Sequence, residues 1–161
     1  MSSQYDPVNY QQRRQMSAAL IAELTKPFHR KLLDEAKNSL TSSQNEIAVV
    51  LSQAASEMCT EWAITGLFGM RGDQDLAEPI LALFLSYDIC NDRLHRIYLA
   101  LSGDSPNQRP FWSQLKSHKD RRNDLVHRGK KPSPTEAEAS VRVVEQYVLH
   151  VETVLANLQT K

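Results

Sequence analysis

Apolar residues along this 161-residue chain recur at spacings of three and four, and no stretch alternates as a strand would. From Asn9 to Leu40, the residues Met16, Leu20, Leu24, Phe28, Leu32 and Leu33 mark one long helical pattern. Pro27 falls inside it and should kink or split the helix, because proline lacks the N–H that the ladder needs. Ser43-Gln44-Asn45-Glu46 reads as a capping box. It opens a second helix with Ile47, Leu51, Ala54, Met58, Trp62 and Thr65 on one side, and Gly66, Gly69 and Gly72 end it. A third helix is expected from Asp73 through Ile80, Phe84, Tyr87, Leu94 and Tyr98 to Leu101, with Pro79 near its start and Gly103 as its stop. A fourth should run from about Arg109 to His127, with Pro110 near its start and Gly129 behind it. Ser133-Pro134-Thr135-Glu136 is a second capping box. The last helix carries Ala137, Val141, Val144, Val148, Val151, Leu155 and Leu158, an unbroken four–three seam.

This pattern predicts an all-α fold: an antiparallel bundle of about five helices forming a single domain over residues 1–161, with 1–8 a flexible tail. Apolar content of 41% and charged content of 24% fit a globular chain with a proper core. Cys59 and Cys90 fall on or beside apolar stripes and read as reduced core thiols. The longest apolar run, Ile80 to Leu85, is too short to cross a bilayer, and the polar N-terminus has no apolar signal core. A cytoplasmic protein with no membrane association is the expectation.

Net charge is zero, yet its distribution is uneven. Between Arg109 and Lys131 stand eight Lys/Arg and two acids, which leaves 11 Lys/Arg against 17 acids elsewhere. A basic face on an acidic body suits contact with nucleic acid. On the fourth helix, Phe111, Trp112, Leu115, Leu125 and Val126 define an apolar side, and its middle falls on His118, Lys119 and Arg122. A guanidinium there must be paired or face a cleft, since burying a lone charge is costly. Glu57 and Glu61 are candidate ion-pair partners. Arg122 and His127 lie about 140° apart on an ideal helix of roughly 100° per residue, and the length of arginine still lets them converge. Together they offer a phosphodiester a fixed positive charge and a group that titrates near neutrality.

Arg122-Asn123-x-x-x-His127 resembles the Arg-x(4–6)-His motif of the HEPN superfamily, whose usual form has Asn, Asp or His after the arginine. The flanking Arg-Asn-Asp-Leu-Val-His-Arg-Gly, the capped final helix and the all-helical plan fit as well. The resemblance implies a metal-independent endoribonuclease without cofactor, working as a homodimer whose two motifs meet in one composite site. By that analogy His127 moves a proton, Arg122 steadies the scissile phosphate and Asn123 orients by hydrogen bonding. Attack by the RNA's own 2′-oxygen would leave a 2′,3′-cyclic phosphate. Substrate contacts are expected from Arg121, Arg128, Lys130, Lys131 and Lys119, with His118 either lining the cleft or standing by as a partly buried bystander. Such nucleases occur in toxin–antitoxin pairs, phage defence and RNA processing, so an antitoxin is one expected partner.

Blander readings stand beside these. Arg122 can be a structural ion-pair member and His127 a cation at a helix C-terminus. The chain then becomes a non-catalytic helical module for a nucleotidyltransferase or another protein. Asp88, Asp92 and Arg96 are spaced as an exposed salt-bridged face rather than a metal site. Trp62 and Trp112 read as core residues, and His29 and His150 stand alone.

Overall fold

In a computed structural model, residues 25–160 are described, and they form an all-α bundle. Six α-helices follow in order: α1 (Phe28–Thr41), α2 (Asn45–Met70), α3 (Ala77–Leu81), α4 (Asp92–Ser102), α5 (Trp112–Arg128) and α6 (Pro134–Gln159). Short 3-10 turns at Gln74–Leu76 and Pro106–Gln108 precede α3 and α5. No strand occurs among the described residues. The expected helix upstream of residue 25 and the tail at 1–8 lie outside them. Pro27 stands at the N-cap of α1, and its carbonyl accepts from the Arg30 and Lys31 N–H groups.

The centre of the bundle is α2, which packs most extensively against α1 and α6 and also meets α3, α4 and α5. Its deepest face is made of small residues. Ala48, Ala55, Cys59 and Ala63 are fully buried, alternating with Ser52, Ser56 and Thr60. The Ser52 and Thr60 hydroxyls donate to the carbonyls of Ala48 and Ser56 one turn back (2.7 and 2.9 Å), so neither enters the core unsatisfied. With its proton committed to Ser56, the Thr60 hydroxyl accepts from Tyr147 of α6 at 2.8 Å, deep in the core. The seam of α6 is buried as its spacing foretold, from Ala137 to Leu155, with Leu158 packed at the edge.

The larger apolar residues of α2 sit elsewhere than expected. Ile47, Trp62 and Thr65, read as the core face, are exposed, and Leu51, Ala54 and Met58 are half-buried. Helices pack on α2 from several sides, and Val49, Ile64 and Leu67 are buried as deeply as the small residues beside them, so the face turned to the neighbours, and not residue size, selects the interior. Trp62 lies instead against the His29 ring, centroids 5.0 Å apart. On α5, Val126 is likewise half exposed although its spacing placed it on the apolar side.

Three local readings are corrected. Ser43 does not cap α2. The turn from α1 is so tight that Ser43 takes φ 56°, Gln44 N–H bonds to Ser39 O (2.8 Å), and Gln44 becomes the N-cap without a side-chain bond. Next, α2 runs on through Gly66 and Gly69 to Met70, and Gly72 (φ 78°) marks the turn that follows. At Gly66 a Cβ would stand 3.5 Å from Leu155 Cδ2, an ordinary van der Waals distance, so the contact with α6 does not itself require glycine.

Lastly, the expected third helix is broken. Only Ala77–Leu81 and Asp92–Ser102 are α-helical, with a non-helical span between. Polar side chains there bond to the local backbone in place of helix carbonyls. Asp88 Oδ1 accepts from Cys90 N–H (2.8 Å), and Asn91 Oδ1 caps α4 at Arg93 and Leu94. Asp88 thereby leaves the i,i+4 row, while Asp92 and Arg96 keep an exposed pair at 3.7 Å. The fourth predicted helix starts late, at Trp112, because the 3-10 turn at Pro106–Gln108 and the Pro110 bend come first.

The second capping box forms in full. Ser133 Oγ accepts from Glu136 N–H (3.3 Å), and the Glu136 carboxylate accepts from Ser133 N–H (2.8 Å). Ser133→Ala is therefore expected to lower unfolding free energy by about 1 kcal/mol. Chemical denaturation checks this, and an unchanged midpoint would show that the cap carries no stability.

Candidate functional site

Helix α5 ends where its sequence said it would. Gly129 adopts φ 66° and its N–H returns to the Leu125 carbonyl. The last turn thus presents His127, exposed, at a helix C-terminus. One turn earlier, Arg122 and Asn123 are half-buried and open into a cleft of about 690 Å³. Its walls come from α5 (Lys119, Arg122, Asn123), from α2 (Gln53, Glu57) and from the non-helical span and start of α4, including Phe84, Asp88 and Asn91. His127 is not among the cleft-lining residues.

Within the cleft, Arg122 Nη1 donates to Asn123 Oδ1 at 3.2 Å. No carboxylate lies within ion-pair distance of Arg122 among the described residues. The expected supporting pair is thus not formed. Glu57 shares the cleft but accepts from Gln53 Nε2 (2.7 Å), and Glu61 lies at a different hollow, beside Phe28 and Trp62. Lys119 is held by Asp88, Nζ to Oδ2 2.8 Å. Burial works most strongly against its charge, but the hydrogen bond to Asp88 and the charge of that carboxylate together outweigh it and raise the Lys119 ammonium above its usual value.

The other basic residues are tied to acids. Arg109 pairs with Asp104 at 2.7 Å. Arg128 and Lys130 share Asp124 at 2.8 and 3.6 Å, and Lys131 reaches Glu46 at 3.2 Å. Lys116 stands over the Trp112 ring, 5.8 Å from its centroid. Arg121 is tucked in, donating to Ser140 Oγ at 2.6 Å and lying 4.0 Å from Glu136. With Lys130 and Lys131 it lines a smaller hollow of about 220 Å³. Of the eight Lys/Arg between 109 and 131, Arg122 alone has neither a carboxylate nor a ring as partner among the described residues.

His118 does not reach the cleft. It is 1% exposed, and neither ring nitrogen finds a hydrogen-bond partner. Burial is the main cause pushing it down to about 4; Arg121 and Arg122 add to this and Asp88 opposes it.

Two histidines passed over in the sequence are engaged. His150 Nε2 bonds to Asp104 Oδ2 (2.7 Å), a carboxylate that also accepts from Arg109 and from the Tyr98 hydroxyl. Burial would raise the Asp104 value, but Arg109 and His150 hold it below the usual range. His29 Nε2 bonds to Glu152 (2.8 Å), which Arg30 also grips. Both links join residues far apart in sequence, so no local spacing betrays them. Cys59 and Cys90 are free thiols, and burial is the main cause raising both, Cys90 to about 12. Among the described residues no three His, Cys, Asp or Glu gather as a metal site would need, and no helix is long and apolar enough to cross a membrane. Comparison with protein-family models, with curated proteins and with solved structures returned no match.

The His118 environment sets a pH dependence with a definite sign. Its folded value lies below the ordinary 6.5, so the unfolded chain takes up the proton first. The stability contributed by the neutral ring is complete above about 6.5 and is lost as pH falls towards 4. Replacing an unpartnered buried imidazole by an apolar side chain removes that loss. His118→Leu is expected to show a smaller decline in unfolding free energy between pH 7 and pH 4.5 than the parent; parallel declines would refute the assignment.

Proposed function

We propose that the chain is an endoribonuclease of HEPN type, acting as a homodimer on RNA without a metal. The observation that carries this reading is the state of Arg122: a guanidinium held by a neutral amide, with no carboxylate in ion-pair reach among the described residues, open to a cleft and five residues before an exposed histidine. A structural arginine in that half-buried position calls for a counter-ion. A phosphodiester supplies one.

In the reaction proposed, Arg122 holds a non-bridging oxygen of the scissile phosphate, and Asn123 fixes the guanidinium plane. One imidazole takes the 2′-hydroxyl proton as the 2′-oxygen attacks phosphorus. The 5′-oxygen leaves with a proton from a second imidazole, giving a 2′,3′-cyclic phosphate and a 5′-hydroxyl. His127 lies outside the cleft lining of its own protomer, and a single motif offers only one imidazole. A two-fold axis brings the second copy's motif to the same groove and completes the proton inventory. Arg128, Lys130 and Lys131 sit in exposed salt bridges of low worth, which phosphates of an RNA strand can replace. A cytoplasmic role as a toxin or defence nuclease, with an antitoxin as regulator, follows from the motif resemblance alone.

A second reading has one observation in its favour. Leu83 and Leu85, at the rim of the cleft, are 80% and 109% exposed, which suits a protein contact by a non-catalytic module, with a nucleotidyltransferase among the candidates.

Purified protein incubated with total RNA in EDTA separates the two. Cleavage ending in cyclic phosphate, reduced by about a hundredfold or more in both Arg122→Ala and His127→Ala, is the expected result. Intact RNA, or equal cleavage by parent and variants, rejects the nuclease. Equilibrium sedimentation of the parent should give twice the chain mass, and a strict monomer at micromolar concentration would remove the second imidazole from the mechanism.

A further inference from the structure

Opposite Arg122, the cleft holds a carboxylate that a purely phosphate-binding groove would exclude. Glu57 lines the same wall as Gln53, one turn away on α2, and takes its hydrogen bond from the Gln53 amide at 2.7 Å. Gln53 is only 6% exposed, so Glu57 is held in place. No ion pair among the described residues includes Glu57, while Asp88 on the neighbouring wall is neutralised by Lys119. A fixed, unpaired anion repels the phosphates of a bound strand and must face its neutral part, the base. Phe84 and Leu83 supply an apolar wall in the same cleft, where a splayed base can stack. The volume, about 690 Å³, lies within the range of small-molecule sites.

A carboxylate only accepts hydrogen bonds, and it does so best in pairs. Guanine alone of the four bases offers two adjacent donors on its pairing edge, N1–H and N2–H. Adenine and cytosine set a ring-nitrogen acceptor beside their amino group, which turns lone pairs towards the carboxylate. Uracil has one N–H between two carbonyls. The bond from Gln53 occupies one acceptor position on Oε1 and leaves Oε2 and a further lone pair for the ligand.

We infer that the cleft seats a guanine base, read by Glu57 and stacked beside Phe84, with its phosphate towards Arg122. The inference rests on the reading that RNA lies in this cleft and adds the base it selects. Glu57 is then a specificity residue, distinct from the groups that move protons.

The test is binding, so it does not depend on turnover. Labelled uridine tetranucleotides with a central G, A, C or U carry 2′-fluoro sugars, which block attack by the 2′-oxygen. Their affinities for the full chain, its Glu57→Gln and Glu57→Ala variants and its Arg122→Ala variant are read by fluorescence anisotropy, with circular dichroism confirming helix content. The parent is expected to bind the G oligomer at least tenfold more tightly than the other three. Both Glu57 variants should bring that ratio below about twofold, whereas Arg122→Ala should weaken all four alike. Equal binding of all four by the parent overturns guanine selection and leaves RNA binding standing. A preference that survives both Glu57 changes also overturns it. Failure of the parent to bind any oligomer removes the RNA reading and this inference together.

Discussion

Close approach of neighbouring helices to the small-residue face of α2 is the constraint on which the structure depends. Alanine, serine, cysteine and threonine at positions 48, 52, 55, 56, 59, 60 and 63 leave room for the backbones of α1 and α6 to come near. The Ser52 and Thr60 hydroxyls are tied back to the preceding turn, so the helix accepts these polar residues in the core at little desolvation cost. Where one hydroxyl retains an acceptor lone pair, Tyr147 fills it. Enlarging any of these positions would force the neighbours apart, and overpacking of this kind costs typically 1–3 kcal/mol. The same helix carries Gln53 and Glu57 outward to the cleft. Core packing and the shape of the site are therefore set by two faces of one helix.

Much of this was legible wherever a local rule acts alone. The α6 seam, its Ser133–Glu136 cap, and the glycine stops at 103 and 129 depend on residues within one turn of each other, and they stand as their spacing implies. The rules fail where two local demands compete. Ser43 has the side chain of a cap, but the three-residue turn after α1 dictates a left-handed backbone and the cap is lost. Residues 82–91 carry apolar spacing suited to a helix, yet Asp88 and Asn91 bond to the local backbone and win. Their presence inside a supposed helix was the available signal. The face of α2 was misread for a different reason. Helices pack on α2 from several sides, so its buried face joins Val49, Ile64 and Leu67 to small residues that mark no apolar stripe of their own.

For the site, the motif, its helix and its C-terminal stop were readable, and the surroundings were not. The cleft joins α2, α5 and the 82–91 span, and nothing in local spacing reports that Gln53 and Phe84 share a wall with Arg122. Nor could spacing rank the cations. By formal charge the 109–131 segment is a basic patch. In three dimensions the acidic remainder of the chain folds back upon it: Asp88, Asp104, Glu46 and Glu136 each meet a basic residue, while Asp124, within the segment, serves two. Charge asymmetry along a sequence is thus a statement about composition, and the potential at a surface depends on what each cation meets.

That cancellation sharpens the case for Arg122. A chain able to find carboxylates for so many neighbouring cations places this guanidinium against an amide and leaves Glu57, in the same cleft, bonded to Gln53 instead. Joining Arg122 to Glu57 would satisfy both charges and close the groove. Holding them apart keeps a donor-rich group and an acceptor-only group on separate walls of a space large enough for a ligand. Two charged groups kept unpaired at half burial cost stability, and folds tolerate such local conflicts where binding or chemistry requires them. The ligand that answers both walls must carry an anion at one end and a pair of hydrogen-bond donors at the other. Under the proposed reading, a guanine nucleotide meets that description.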